Sequence, residues 1–150
     1  MHFLFEAGLI YVGSKNNHFD PVVSLDGADL RGADLENANL GGFVNMVGAN
    51  LGGGANLENA NLYMADLRGA NLVDANLQGA DLLYSDLRGA NLTNALLDPA
   101  NMDGADLSGV NLSKANLIGA NLTDATVTNE QLSKAKSLEG ATMPDGLKHP

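Results

Sequence analysis

The chain contains no cysteine and no tryptophan. No disulfide can staple it, no thiolate can act as a nucleophile, and no cysteine-based metal site can form. Aromatic residues make up only 5% of a sequence that is 45% hydrophobic. Such a composition suits a narrow aliphatic interior, because the rings that fill broad cores are missing. Cations are scarce as well: 8 Lys and Arg stand against 18 Asp and Glu, a formal net charge of −10. Direct nucleic-acid binding is therefore not expected, since it needs clustered Lys and Arg against phosphates. The acidity permits a basic partner, but the plainer reading is a solvated surface that aids solubility. No apolar run reaches the ~18 residues of a membrane span, so none is expected. A length of 150 residues suits one domain.

In place of these features there is a repeat. From Ala55 to Asn129 the chain divides into fifteen five-residue units without insertion or deletion. They begin ANLEN, ANLYM, ADLRG, ANLVD, ANLQG and ADLLY. Nearly every unit has a central Leu, with a small residue, nearly always Ala, two before it and in most units Asn or Asp one before it. The two positions after the Leu vary, and Gly is frequent at the second. A period of five fits neither a helix at 3.6 nor a coiled coil at 3.5. Within one unit, however, Ala and Leu are two apart, so a short extended segment points both to one side and the polar residue to the other. The chain must then turn, and Gly allows the positive φ that turns require. Four such sides close a square of twenty residues, and coils stack at roughly the 4.8 Å inter-strand distance.

This pattern resembles the pentapeptide-repeat family, whose motif is A(D/N)LXX. The resemblance implies an all-β solenoid, a right-handed quadrilateral β-helix, here of five to six coils with terminal caps and a short C-terminal helix. It covers residues 23–129. The register places Leu57, Leu77, Leu97 and Leu117 in one interior column, and Leu62, Leu82, Met102 and Leu122 in a second. Leu67, Leu87, Leu107 and Val127 form a third, and Leu72, Leu92 and Leu112 a fourth. Earlier units have centres at Leu25, Leu30, Leu35 and Leu40, and then the register slips. Residues 43–54 carry two extra residues, expected as bulges at corners.

The ends are expected to be covers, because an open solenoid end exposes interior and unpaired edges. Residues 1–22 read as an N-terminal cap and linker, with Phe3, Leu4, Phe5, Leu9 and Ile10 over the first coil. A cut from a longer protein is the other reading of this start. Residues 130–150 read as a C-terminal cap. Thr128 and Gln131 fit a capping box, which predicts a short helix over 129–136. Leu138 and Met143, five apart, suggest a final half-coil, with order ending near Pro144 and Gly146.

No catalytic constellation or cofactor site emerges. His2, His18 and His149 lie in the terminal regions and share no ligand spacing, so no metal site is expected. Two surface features do follow from stacking. Tyr63 and Leu83 are twenty apart, as are Met64 and Tyr84, so the four should lie outward on one side of adjacent coils. Clustered exposed aromatics and Met suggest a partner-binding surface. Asp66, Asp86 and Asp106 also recur at twenty, giving a candidate acidic face. Arg68 and Arg88 share that face, so its plainer reading is turn-bonded Asp with exposed ion pairs. Leu96 and Pro99 mark an irregular corner.

The reading is thus a non-enzymatic, monomeric module that binds a protein partner. The resemblance implies two alternatives: an acidic mimic of DNA acting on DNA gyrase, or a structural spacer in a larger protein. It also points to cyanobacterial members. The cytoplasm is expected, or the thylakoid lumen if a targeting segment has been removed.

Overall fold

The computed structural model describes residues 24–42 and 44–150, so the N-terminal cap expected over 1–22 lies outside the described residues. The described chain winds into a stack of square coils, each pairing in parallel with the next. On one side Asn56 pairs with Asn76, Asn76 with Leu96, and Leu96 with Asn116. The next side pairs Asn61, Asp81, Asn101 and Asn121, the third pairs Asp66, Asp86 and Asp106, and the fourth Asn71, Asn91 and Asn111. The interior columns follow the expected register. Leu25, Met46, Leu67, Leu87, Leu107 and Val127 share one side, so the described residues make five full coils and enter a sixth.

One repeat shows why the motif takes this form. In Asn56–Ala60 every backbone N–H is satisfied. Asn56 donates to Ala33 in the coil above, Leu57 to Asn76 and Asn59 to Gln78 in the coil below, and Ala60 to Leu57 across the turn, all at 2.7–3.0 Å. The remaining N–H, that of Glu58, donates to the side-chain Oδ1 of Asn56 at 3.2 Å. The Asn or Asp before Leu thus supplies the one acceptor that the backbone cannot. The turn's third residue has positive φ, as in a type II turn. Gly fills it most often. Among the described residues eight others adopt it, and five of these are Asn or Asp, the types that best tolerate that region. Met64, Tyr84 and Lys114 are the other three.

Inward positions are tightly closed. From Ala49 to Leu122 they are at most 4% exposed. Each buried Leu contributes about 1.5–3 kcal/mol, and Ala leaves room for it. The two extra residues show in the stacking. Ser24 pairs with Asn45, 21 residues on, and Asp34 with Asn56, 22 on, whereas later pairs are 20 apart. Gly53 and Gly54 absorb one insertion with φ of 67° and 80°.

The C-terminal helix spans Asn129–Leu132, shorter than the expected 129–136. Thr128 is its N-cap and the capping box with Gln131 is formed. Gln131 does more: its Nε2 donates to the carbonyls of Leu107 and Val110 at 2.7 and 3.0 Å, which fastens the helix under the last coil. The helix stops early because the chain re-enters the stack. Lys136 donates to the Ala115 carbonyl, and Ser137 and Thr142 pair with Asn116 and Asn121. Leu138 and Met143 pack against the core as the final half-coil. Order does not end at Pro144. The chain folds back, pairing Lys148 antiparallel with Thr142, and so covers the lowest edge on that side.

Candidate functional site

Tyr63, Met64, Leu83 and Tyr84 occupy one corner of the solenoid, just after the side that carries Asn61 and Asp81. Backbone bonds stack them in pairs. Met64 N–H donates to the Leu83 carbonyl at 3.0 Å, and Tyr84 N–H to the Asp103 carbonyl at 2.9 Å. Tyr63 therefore lies above Leu83, and Met64 above Tyr84. The two Tyr rings meet edge to face with centroids 6.4 Å apart. Tyr84 is 55% exposed, and the other three are half-buried. Below Tyr84 the column continues with Gly104 and below Leu83 with Asp103, whose neighbours in the next coil are Asp124 and Thr123.

The local backbone is informative. Met64 and Tyr84 hold φ of 56° and 57°, where long side chains are disfavoured by roughly 1–2 kcal/mol. Gly104 makes the arrangement possible: a Cβ there would run into the Tyr84 ring. The ring lies down over the glycine backbone of the coil beneath it. The twenty-residue register links positions 84 and 104, so this contact was open to sequence reasoning but was not drawn from it.

The acidic column is a ladder of alternating charge. Asp66, Asp86 and Asp106 stack as expected. Arg68 forks onto Asp66 at 2.7 and 2.8 Å, and Arg88 onto Asp86 at 2.6 and 2.8 Å. Each Arg Nε also lies 3.7 Å from the Asp of the next coil down. Three carboxylates thus face two guanidiniums. Hydrogen bonds from Arg68 and Arg88 hold the Asp66 and Asp86 carboxyls below the ordinary range, against a smaller opposing effect of burial. A depressed folded-state pKa stabilises the fold above the unfolded value of about 3.9, and this is lost as pH falls through the lower folded value. Asn at these positions keeps the turn bond to Oδ1 and removes the charge together with the Oδ2 acceptor of the Arg fork. The double variant Asp66→Asn, Asp86→Asn is therefore expected to be less stable than wild type by up to about 1 kcal/mol per pair at pH 7. In urea titrations that gap should narrow as pH falls below the ordinary carboxyl range and through the lowered folded-state values.

A second apolar spot lies on another side. Leu96 and Ile118 are 39% and 41% exposed in successive coils. Leu96 has no side-chain acceptor for the Asp98 N–H, and Pro99 has no N–H to offer, so this corner lacks two bonds that its neighbours make. Asp98 Oδ1 is buried there without a partner. The sequence flagged Leu96 and Pro99 but not Ile118, which the register alone would have found. Among the described residues no group of three or more His, Asp or Glu is placed to hold a metal. No helix among them is long and apolar enough to cross a membrane.

The profile of pentapeptide repeats matches eight copies across residues 23–53, 43–72, 53–82, 85–124 and 100–136. The chain belongs to the pentapeptide repeat family. Solved structures of the family are similar to it. HetL of the cyanobacterium Nostoc, a pentapeptide repeat protein involved in heterocyst differentiation regulation, is 36% identical over 85% of this chain and 67% of its own, with a TM-score of 0.43. Rfr23 of the cyanobacterium Cyanothece is 32% identical over 69% of this chain and 78% of its own, with a TM-score of 0.45. A pentapeptide repeat protein of the Arabidopsis thaliana thylakoid lumen is 31% identical, covers 83% of both chains and has a TM-score of 0.56. No curated protein matches the chain.

Proposed function

We infer that this pentapeptide repeat protein is a non-enzymatic, monomeric module that binds a protein partner through the corner of Tyr63, Met64, Leu83 and Tyr84. One observation carries the reading. The fold does not require long apolar side chains at the turn positions of Met64 and Tyr84, and their left-handed backbone works against stability. Surface features that cost stability without serving packing are characteristic of binding sites. The ladder of Asp66, Asp86 and Asp106 takes a lesser part, because Arg68 and Arg88 already engage two of the three. For the compartment the proposal is the cytoplasm, with the thylakoid lumen, home of the Arabidopsis relative, as the alternative.

Replacing Tyr63 and Tyr84 with Ser tests this. Thermal melting should change little, within roughly 0.5 kcal/mol, as at other surface sites, while partner binding is lost. A large drop in melting temperature would mean that the rings serve packing and would remove the corner as a binding site. Supercoiling by DNA gyrase should be unaffected by a large molar excess of the wild-type protein. Salt-sensitive inhibition would instead move the reading to mimicry of DNA by the acidic faces.

A further inference from the structure

We propose that the Tyr63–Tyr84 corner receives an arginine side chain of the partner, with the Tyr84 ring as its stacking platform and the Asp103 and Asp124 carboxylates as its counter-charges. This rests on the reading of the corner as a docking surface and specifies what it receives.

The backbone ladder fixes the juxtaposition. Asp103 is one coil below Leu83, beside Gly104, and the Tyr84 ring lies over Gly104. Coils are roughly 4.8 Å apart, so positions 84 and 103 are diagonal neighbours on the ladder. Asp124 follows one coil further down, directly below Gly104. Neither Asp103 nor Asp124 forms an ion pair among the described residues. Their side chains accept no hydrogen bond there either, unlike Asp81, which accepts from Leu83 N–H and Asn101 Nδ2. From Asn39 to Asp124 this side and its corner carry three carboxylates and no Lys or Arg. The nearest cation below is Lys148, whose Nζ donates to the Gly140 carbonyl.

The contrast with the neighbouring column is instructive. There each of two Asp residues has its own Arg two residues later. Here the carboxylates stand ready and the guanidinium is missing. A purely apolar occupant would fit Tyr63, Met64 and Leu83 but would strip water from Asp103 and Asp124 without replacing it. An acidic occupant would be repelled. Arginine satisfies both halves, because its planar guanidinium stacks on an aromatic face while its N–H edge meets a carboxylate. Lysine offers a point charge without the flat face.

The test is an NMR titration of the ¹⁵N-labelled full chain with three capped peptides: Gly-Leu-Arg-Leu-Gly, the same peptide with neutral citrulline for Arg, and the same with Lys. The Arg peptide should shift the amides of Tyr84, Asp103, Gly104 and Asp124, with affinity falling as salt rises. Citrulline should bind about fivefold more weakly, with Lys between the two. Asp103→Asn should weaken the Arg peptide by a similar factor, Tyr84→Ser should abolish the shifts, and Asp74→Asn on the opposite corner should leave them unchanged. The same spectra report whether each variant is folded. Equal binding of the Arg and citrulline peptides at this corner would overturn the inference while leaving the docking surface intact. An absence of shifts at the corner with every peptide would also overturn it, and the docking reading would then be decided by the Tyr63/Tyr84 variant.

Discussion

Leu87→Asp is expected to abolish folding. Leu87 is fully buried, between Leu67 and Leu107 in one interior column, and its N–H is fixed to the Asp106 carbonyl at 2.9 Å. The new carboxylate would point into an interior lined by Leu and Ala with no cation, where the Ser85 hydroxyl already donates to the Leu82 carbonyl. An unpaired buried charge costs several kcal/mol, comparable to the total of roughly 5–15 kcal/mol that holds a domain together. In a solenoid the damage spreads, because each coil is stabilised by its neighbours above and below. Circular dichroism should show loss of the β signal, and no cooperative melt should remain. A native spectrum and melting temperature would mean that position 87 does not face inward and that the register of all four columns is wrong.

Ala75→Leu should be the second most damaging change, through volume rather than charge. Ala55, Ala75, Ala95 and Ala115 stack on one side and are all fully buried. The interior is narrow because each side contributes one Leu and one small residue to it. Three added carbons would meet the Leu of the adjoining side and the Ala residues of the coils above and below. Overpacking of a close-packed core costs about 1–3 kcal/mol and sometimes more, and the complete burial of this column places the site at the upper end. Thermal or urea unfolding should show a loss near 3 kcal/mol. Ser85, in the matching column of Ala65 and Ala105 two sides on, marks what such a position tolerates instead: a small residue whose hydroxyl donates to the Leu82 carbonyl at 2.7 Å.

The fold was legible in the sequence because one five-residue pattern encodes every level of it. Alternation of Ala and Leu around Asn or Asp sets the inward and outward faces. The turn residue sets the corner, and multiplication by four sets the stacking. This is why the columns through Leu57, Leu62, Leu67 and Leu72 could be written before any coordinates. Departures were less legible where tertiary contacts overrode local signals. The capping box announced the helix at Thr128, but its end at Leu132 depends on Lys136 finding the Ala115 carbonyl, a partner 21 residues away. The final hairpin depends on Lys148 meeting Thr142, and Pro144 and Gly146 in the sequence read only as a stop.

The candidate site was legible in part. Spacing alone put Tyr63, Met64, Leu83 and Tyr84 together on one side. It did not show that the Tyr84 ring lies over Gly104, because that depends on a rotamer permitted only by an absent Cβ. Nor did it reveal the relay from Arg68 to Asp86 and from Arg88 to Asp106, which requires knowing how far each guanidinium leans toward the next coil. The sequence already set Arg68 and Arg88 beside the Asp column as exposed ion pairs; the folded chain adds the lean of each Arg toward the Asp of the next coil, which makes the column an alternating ladder.

Site-specific photo-crosslinking tests most directly whether the partner meets the Tyr63–Tyr84 corner. A benzophenone amino acid would replace Tyr84 in one variant and Asn94, on the opposite corner, in a control, each expressed in the protein's own cells. A discrete crosslinked product from position 84 and none from position 94 is the predicted result. A discrete product from position 94 with none from position 84 would contradict the account and place the binding surface on another face.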